Sequence, residues 1–106
     1  MAQVKYAARI ARDLERLHDV MIEQAGAVVA ARAVEGIIEA IDLLERHPQI
    51  GRPAEHGLRA LVISYGVTGY LALYRFDPVA DQVRILGLRH QRELDYRART
   101  SNPVES

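Results

Sequence analysis

The stretch "LRALVISYGVTGYLALYRFDPVADQVRILGL", residues 58–88, decides the fold of this chain. It contains three runs of apolar, β-branched and aromatic residues, at 58–64, 70–76 and 82–88. Glycines bracket the first gap between these runs, and "DPVAD" fills the second. Connections this short join only antiparallel neighbours, because a parallel connection needs a crossover of a dozen or more residues. The stretch therefore predicts a three-stranded antiparallel meander.

The residues before this stretch predict one strand and two helices. "QVKYA", residues 3–7, alternates apolar and polar side chains with the period of a strand. Two helical stripes follow, made of Ile10, Leu14, Leu17 and Met21, and of Val34, Ile37, Ile38, Ile41 and Leu44. The second helix begins at Ala27 and stops before Pro48, and a break near Gly26 makes the pair an antiparallel hairpin. Residues 47–57, with two prolines and two glycines, read as a loop.

This order of elements predicts an α+β domain, β-α-α-β-β-β, with an N-terminal helical hairpin packed on one face of a small, mostly antiparallel sheet. The last strand is apolar on both parities, with Val83 and Ile85 on one and Leu86 and Leu88 on the other, which predicts cover on both faces. The hairpin covers one face, and the other needs a partner or the chain's own tail. We expect a single domain at residues 1–97 and a polar C-terminal tail at residues 98–106.

Composition and charge narrow the function classes. With 49% apolar and 26% charged residues, the composition is typical of a soluble globular protein. Lys+Arg and Asp+Glu are 14 each, so no global positive field favours general nucleic-acid binding. The chain has no cysteine, and its histidines lack metal-ligand spacing, so we expect no cofactor and no metal. The first ten residues lack the features of a secretion signal, which predicts a cytoplasmic location.

Three phrases carry a resemblance to a known family. They are "LLERHPQIGRP" at the end of the second helix, "LRALVISYGVTGYLALYRFD", and "VRILGLRHQRELDY" near the C-terminus. In this order they resemble the RelE/ParE superfamily of toxins from bacterial type II toxin-antitoxin systems, the plasmid-stabilisation group, over residues 4–97. The resemblance implies a growth-inhibiting toxin that a cognate antitoxin wraps and neutralises.

The resemblance leaves two targets open. RelE-like members are ribosome-dependent endoribonucleases that cut messenger RNA, whereas ParE-like members bind DNA gyrase and trap it on cleaved DNA. Metal-independent RNA cleavage needs a base for the 2′-hydroxyl, a cation for the phosphate and an acid for the departing oxygen. The residues that fit these roles are Arg59 and Arg75 as phosphate clamps, with His90 or Tyr96 as acid or base. Strand parity does not decide whether Arg75 and His90 share a face.

Charge favours the gyrase branch. Nucleases of this family are typically strongly basic and lysine-rich, whereas this chain is neutral with a single lysine. The residues predicted to bind gyrase or the antitoxin are Arg84, Arg89, Arg92 and Arg97. These guanidinium groups imply an acidic antitoxin, which we expect the adjacent gene to encode. A third possibility is a non-toxic module that keeps the fold and the antitoxin-binding surface.

Several of these residues also have simpler structural interpretations. A histidine at a strand end, such as His90, is more often a hydrogen-bonded structural residue than a catalyst. Tyr70 and Tyr74 alternate on one strand, a pattern more typical of core or cross-strand packing than of a base-stacking platform.

Overall fold

Two α-helices lie on one face of a five-stranded sheet in the computed structural model, which describes residues 1–65 and 68–90. The elements are β1 (Gln3–Tyr6), α1 (Ile10–Ala25), α2 (Ala27–Asp42), β2 (Arg52–Pro53), β3 (Arg59–Tyr65), β4 (Thr68–Asp77) and β5 (Gln82–His90), with 3-10 turns at Leu43–Glu45 and Glu55–Gly57. The predicted helical hairpin and the predicted meander of β3, β4 and β5 are confirmed. No helix within the described ranges is long and apolar enough to cross a membrane.

The strands are arranged in the order β1-β5-β4-β3-β2, and the sheet is mixed because one of its neighbouring pairs is parallel. β1 runs parallel to β5, with Tyr6 opposite Ile85, and the other neighbouring strands are antiparallel. The helical hairpin supplies the crossover that a parallel pair requires. Arg52 and Pro53 form a short edge strand beside β3, so the prediction of a loop is wrong at these two residues. Proline is compatible with an edge strand because its missing N–H can face away from the sheet.

A β-bulge in β5 corrects the prediction that this strand is covered on both faces. Tyr74 lies opposite Ile85, but Leu73 lies opposite Gly87, so Leu86 is an additional residue without a partner in the register. A bulge moves the following residues to the other face of the sheet. The residues of β5 that pack against the helices are consequently Val83, Ile85, Leu88 and His90, all of them buried. Val83, Ile85 and Leu88 therefore lie on the same face of the sheet, although Leu88 differs from the other two in its position along the alternating sequence.

The helices bury stripes that differ in part from the predicted ones. In α2 the buried residues are Ala30, Ala33, Ile37 and Ile41, followed by Leu44 in the 3-10 turn. Ile38, predicted to lie in the stripe, is 39% exposed. The hydrophobic periodicity of the sequence does not indicate the two alanines, because a small side chain contributes little to a hydrophobic stripe. In α1 a charged residue, Asp13, occupies the buried stripe between Ile10 and Leu17.

Candidate functional site

The face of the sheet that is turned away from the helices carries the first group of candidate residues. We call it the outer face. The register places Leu71, Leu73 and Arg75 of β4 on it, and Val62 of β3 lies opposite Leu71. Val62 is 47% exposed, whereas the two leucines are half-buried. The outer face is therefore apolar in its middle.

Three cations lie side by side at one end of the outer face. Lys5 is opposite Arg84, and Arg84 is opposite Arg75, so one side chain each from β1, β5 and β4 forms what we call the basic row. All three residues are exposed, and none forms an ion pair with a carboxylate in the described part of the chain. Neighbouring strands are about 4.8 Å apart, and like charges directly opposite one another are destabilising. A bound anionic group would relieve this repulsion.

Removing the middle charge of the basic row is expected to leave the fold intact. In the Arg84→Gln variant, the free energy of unfolding should be unchanged or about 0.5 kcal/mol higher, because the change removes the repulsion of Arg84 with Lys5 and with Arg75. Urea unfolding at low salt measures it, and the gain should disappear in 1 M salt through screening. Arg32→Gln, on the exposed side of α2, is the matched control. A loss of more than about 1 kcal/mol would contradict the repulsive arrangement.

A buried carboxylate and Arg89 meet at the edge of β5. Asp13 of α1 is 2% exposed, and its Oδ2 accepts a hydrogen bond from the N–H of Leu88 at 3.1 Å. Arg16 Nη1 donates to Asp13 Oδ1 at 2.9 Å. Arg9 Nε and Arg89 Nη1 lie 3.3 Å and 3.6 Å from Oδ2. Burial alone would raise the pKa of Asp13, but the Leu88 and Arg16 hydrogen bonds and the charge of Arg9 together hold that pKa below its ordinary value.

The apolar stripe predicted for α1 does not include Asp13. Two signals could have identified it. It lies three residues after Ile10 and four before Leu17, inside the apolar stripe. It is also four residues after Arg9 and three before Arg16, at the spacings that bring helix side chains together.

His90 lies on the opposite side of the sheet from the basic row. It is buried against the helices, opposite Tyr70 in the register. The two rings are in edge-to-face contact, with centroids 5.2 Å apart and an interplanar angle of 86°. Tyr70 and Tyr74 are both buried on this helix-facing side, so they belong to the core and not to a base-stacking surface.

Arg59 contacts the loop that precedes β2. Its Nη1 donates to the carbonyl oxygens of Gln49 at 3.2 Å and Gly51 at 2.8 Å. The hydroxyl of Tyr74 donates to the Pro48 carbonyl at 2.8 Å and accepts from the Gly51 N–H at 2.9 Å. Burial raises the pKa of Tyr74, an effect that the Gly51 hydrogen bond and the charge of Arg59 partly offset. Arg59 and Tyr74 thus hold the loop to the sheet.

The structure separates the residues proposed for RNA cleavage. Arg75 is exposed on the outer face, His90 is in the core beneath the helices, and Arg59 binds loop carbonyls. Tyr96, the remaining member of that set, lies outside the described residues, as do Arg92 and Arg97. Of the four arginines predicted to bind gyrase or antitoxin, Arg84 is in the basic row and Arg89 is at the edge of β5. In residues 1–65 and 68–90, no three potential ligands gather into a metal site.

Comparison with known proteins gives the family. The family model described as "ParE toxin of type II toxin-antitoxin system, parDE" matches residues 4–95. The chain belongs to this ParE toxin family. The resemblance to the RelE/ParE toxins is thereby confirmed, and the matched residues include the helical hairpin, the basic row and all of the sheet except Gln3.

Individual relatives agree with this assignment. "Toxin RelE3" of Caulobacter vibrioides is 33% identical over 93 residues, which cover 88% of this chain and 98% of that protein. The structure titled "Chromosomal ParDE TA system from P. aeruginosa" matches at TM-score 0.71 and 26% identity, covering 85% of this chain and 96% of that one. The RelBE2 toxin-antitoxin complex from Mycobacterium tuberculosis matches at TM-score 0.62 and 25% identity, covering 85% and 98%. The predicted α+β fold is confirmed, and the chain is a type II toxin of the RelE/ParE superfamily.

Proposed function

We propose that this ParE-family toxin inhibits growth by binding DNA gyrase and is neutralised by a cognate antitoxin. The observation that supports gyrase over messenger RNA is the separation of Arg75, His90 and Arg59. A nuclease needs its cation, acid and base within reach of one phosphate. Arg75 and His90 instead lie on opposite faces of the sheet. A protein that acts by binding has no such requirement, and its target would place it in the bacterial cytoplasm.

The antitoxin is the second part of this proposal. Two structural relatives come from the ParDE and RelBE2 toxin-antitoxin systems, which supports an antitoxin partner for this chain. We expect an acidic antitoxin from the adjacent gene, with carboxylates for the basic row and apolar side chains for Leu71 and Leu73. The arginines at positions 92 and 97 extend the same proposal beyond the described residues.

Two assays run side by side test the target. The chain is separated from its antitoxin, refolded, checked for its folded circular dichroism spectrum, and added to purified gyrase and to a translation reaction programmed with a defined message. A gyrase poison should inhibit supercoiling and accumulate cleaved DNA at micromolar concentration while the message stays intact. Cuts in the translated message together with unaffected gyrase activity would reject gyrase as the target and show that the chain is a ribosome-dependent endoribonuclease.

A growth assay tests toxicity itself. Induction without the antitoxin gene should stop growth, and co-induction of the antitoxin should restore it. Unimpaired growth with the folded chain present in the cells would instead support the non-toxic antitoxin-binding module, for which the exposure of Val62 on the apolar outer face is the supporting observation.

A further inference from the structure

β5 extends beyond the strand that pairs with it. β1 pairs with β5 from Gln82 to Ile85, and the N–H of Ala7 donates to the Ile85 carbonyl at 2.9 Å. The chain then turns into α1, whereas β5 continues to His90. Backbone groups on a strand edge need partners when they are buried. The edge of β5 after Ile85 must therefore be satisfied by something other than β1.

Side chains of α1 take the place of a strand at this edge. The N–H of Leu88 donates to Asp13 Oδ2 at 3.1 Å, and its carbonyl accepts from Arg16 Nη2 at 3.0 Å. Arg89 Nη1 donates to the same carbonyl at 2.9 Å and lies 3.6 Å from Asp13 Oδ2. We call Asp13, Arg16, Arg89 and the backbone of Leu88 the edge latch. It fixes both the path of β5 and the guanidinium of Arg89.

Burial limits what each member of the edge latch can do. Asp13 is 2% exposed and cannot reach a partner protein. The side chain of Arg89 is 24% exposed. The register places its backbone opposite Leu71 on the outer face, and its guanidinium reaches round the edge of β5 to Asp13. A change at Asp13 can therefore affect the binding surface only through the residues that Asp13 holds.

We propose that Asp13 is a positioning residue for antitoxin recognition, because it holds Arg89 and the end of β5 in the place where a carboxylate of the antitoxin binds. This inference rests on the proposed function, since it takes the antitoxin as the partner. A guanidinium that is held in place before binding loses less conformational entropy on forming its ion pair. Loss of the Asp13 charge should weaken binding even when the protein stays folded.

A double-mutant cycle between Asp13 and Arg89 tests the edge latch. The probe is the full-length antitoxin encoded beside the chain's own gene, and its affinity is measured for the wild type, Asp13→Asn, Arg89→Gln and the double variant. Asp13→Asn should weaken binding roughly tenfold in the wild type but less than about twofold in the Arg89→Gln background. Asp19→Asn, an exposed change on the same helix, is the control and should not alter the affinity. Amide exchange at Leu88 should become faster in Asp13→Asn.

The outcomes separate this inference from the proposed function. If the wild type binds no antitoxin, the proposed function is rejected, and the positioning role of Asp13 is rejected together with it. If the wild type binds but the Asp13 and Arg89 effects multiply independently, Asp13 acts on the fold in general and the positioning role is overturned. The same holds if folded Asp13→Asn keeps the wild-type affinity. Should Asp13→Asn not fold, the cycle between Arg16→Gln and Arg89→Gln tests the same coupling, and independent effects there also reject the latch.

Discussion

Replacing Gly51 by alanine is expected to lower the free energy of unfolding by about 3 kcal/mol, because the methyl group has no space and the side chain beside it cannot move. A Cβ at Gly51 would lie 2.6 Å from both Cε1 and the hydroxyl oxygen of Tyr74. Tyr74 is fully buried, and its hydroxyl bonds the Pro48 carbonyl and the Gly51 N–H. Relief of the clash would break these hydrogen bonds or displace the loop, and Arg59 would then lose its carbonyl partner at Gly51.

Urea unfolding of the purified variant measures this effect. Gln49→Ala is the matched control, since it alters the same loop at an exposed side chain and keeps the Gln49 carbonyl that accepts from Arg59. That control should remain within about 0.5 kcal/mol of the wild type. A Gly51→Ala protein that unfolds within 1 kcal/mol of the wild type would show that the loop yields and that Tyr74 and Arg59 do not hold it rigidly.

The parts of the fold that follow from local periodicity were predictable from the sequence. The meander followed from three apolar runs with short gaps, and the helical hairpin from two stripes of period 3.6 separated at Gly26. Gly26 itself has a φ of 91°, a left-handed value that glycine adopts without strain. Turn chemistry and period are properties of neighbouring residues, so a single sequence contains them.

Features that depend on pairing between distant residues were not predictable. The bulge at Leu86 is visible only once β4 is laid beside β5, because the residue has the same apolar character as its neighbours. The basic row likewise needs the parallel register that brings Lys5 opposite Arg84. The sequence predicts different roles for Arg84 and Arg75 and indicates none for Lys5. The edge latch joins α1 to β5 through side chain and backbone, and the periodic position of Asp13 indicates its burial but not the strand that it contacts.

Replacing Asp13 by alanine is expected to cost about 2 kcal/mol of unfolding free energy, mainly because it leaves the buried N–H of Leu88 without its acceptor. Loss of the charged partner of Arg9, Arg16 and Arg89 adds little, since these side chains are partly exposed. Asp13→Asn should lower the free energy of unfolding by less, because the amide oxygen can still accept the hydrogen bond from the Leu88 N–H. Its remaining cost is the loss of the negative charge beside Arg9 and Arg16. Asp19→Asn on the same helix is the control, with a side chain 70% exposed. Its effect should stay within about 0.5 kcal/mol, as for most surface changes.

The dependence on pH identifies the ionised carboxylate as the cause. The pKa of Asp13 is lower in the folded protein than in the unfolded chain, so the stability it contributes is fully present above about pH 4 and is lost as the pH falls through the lowered folded value. Urea unfolding of the wild type and Asp13→Asn from pH 7 downward should therefore give curves that differ by a constant amount at neutral pH and converge below about pH 4. A difference that persists unchanged to about pH 3 would mean that shape, and not charge, makes Asp13 stabilising.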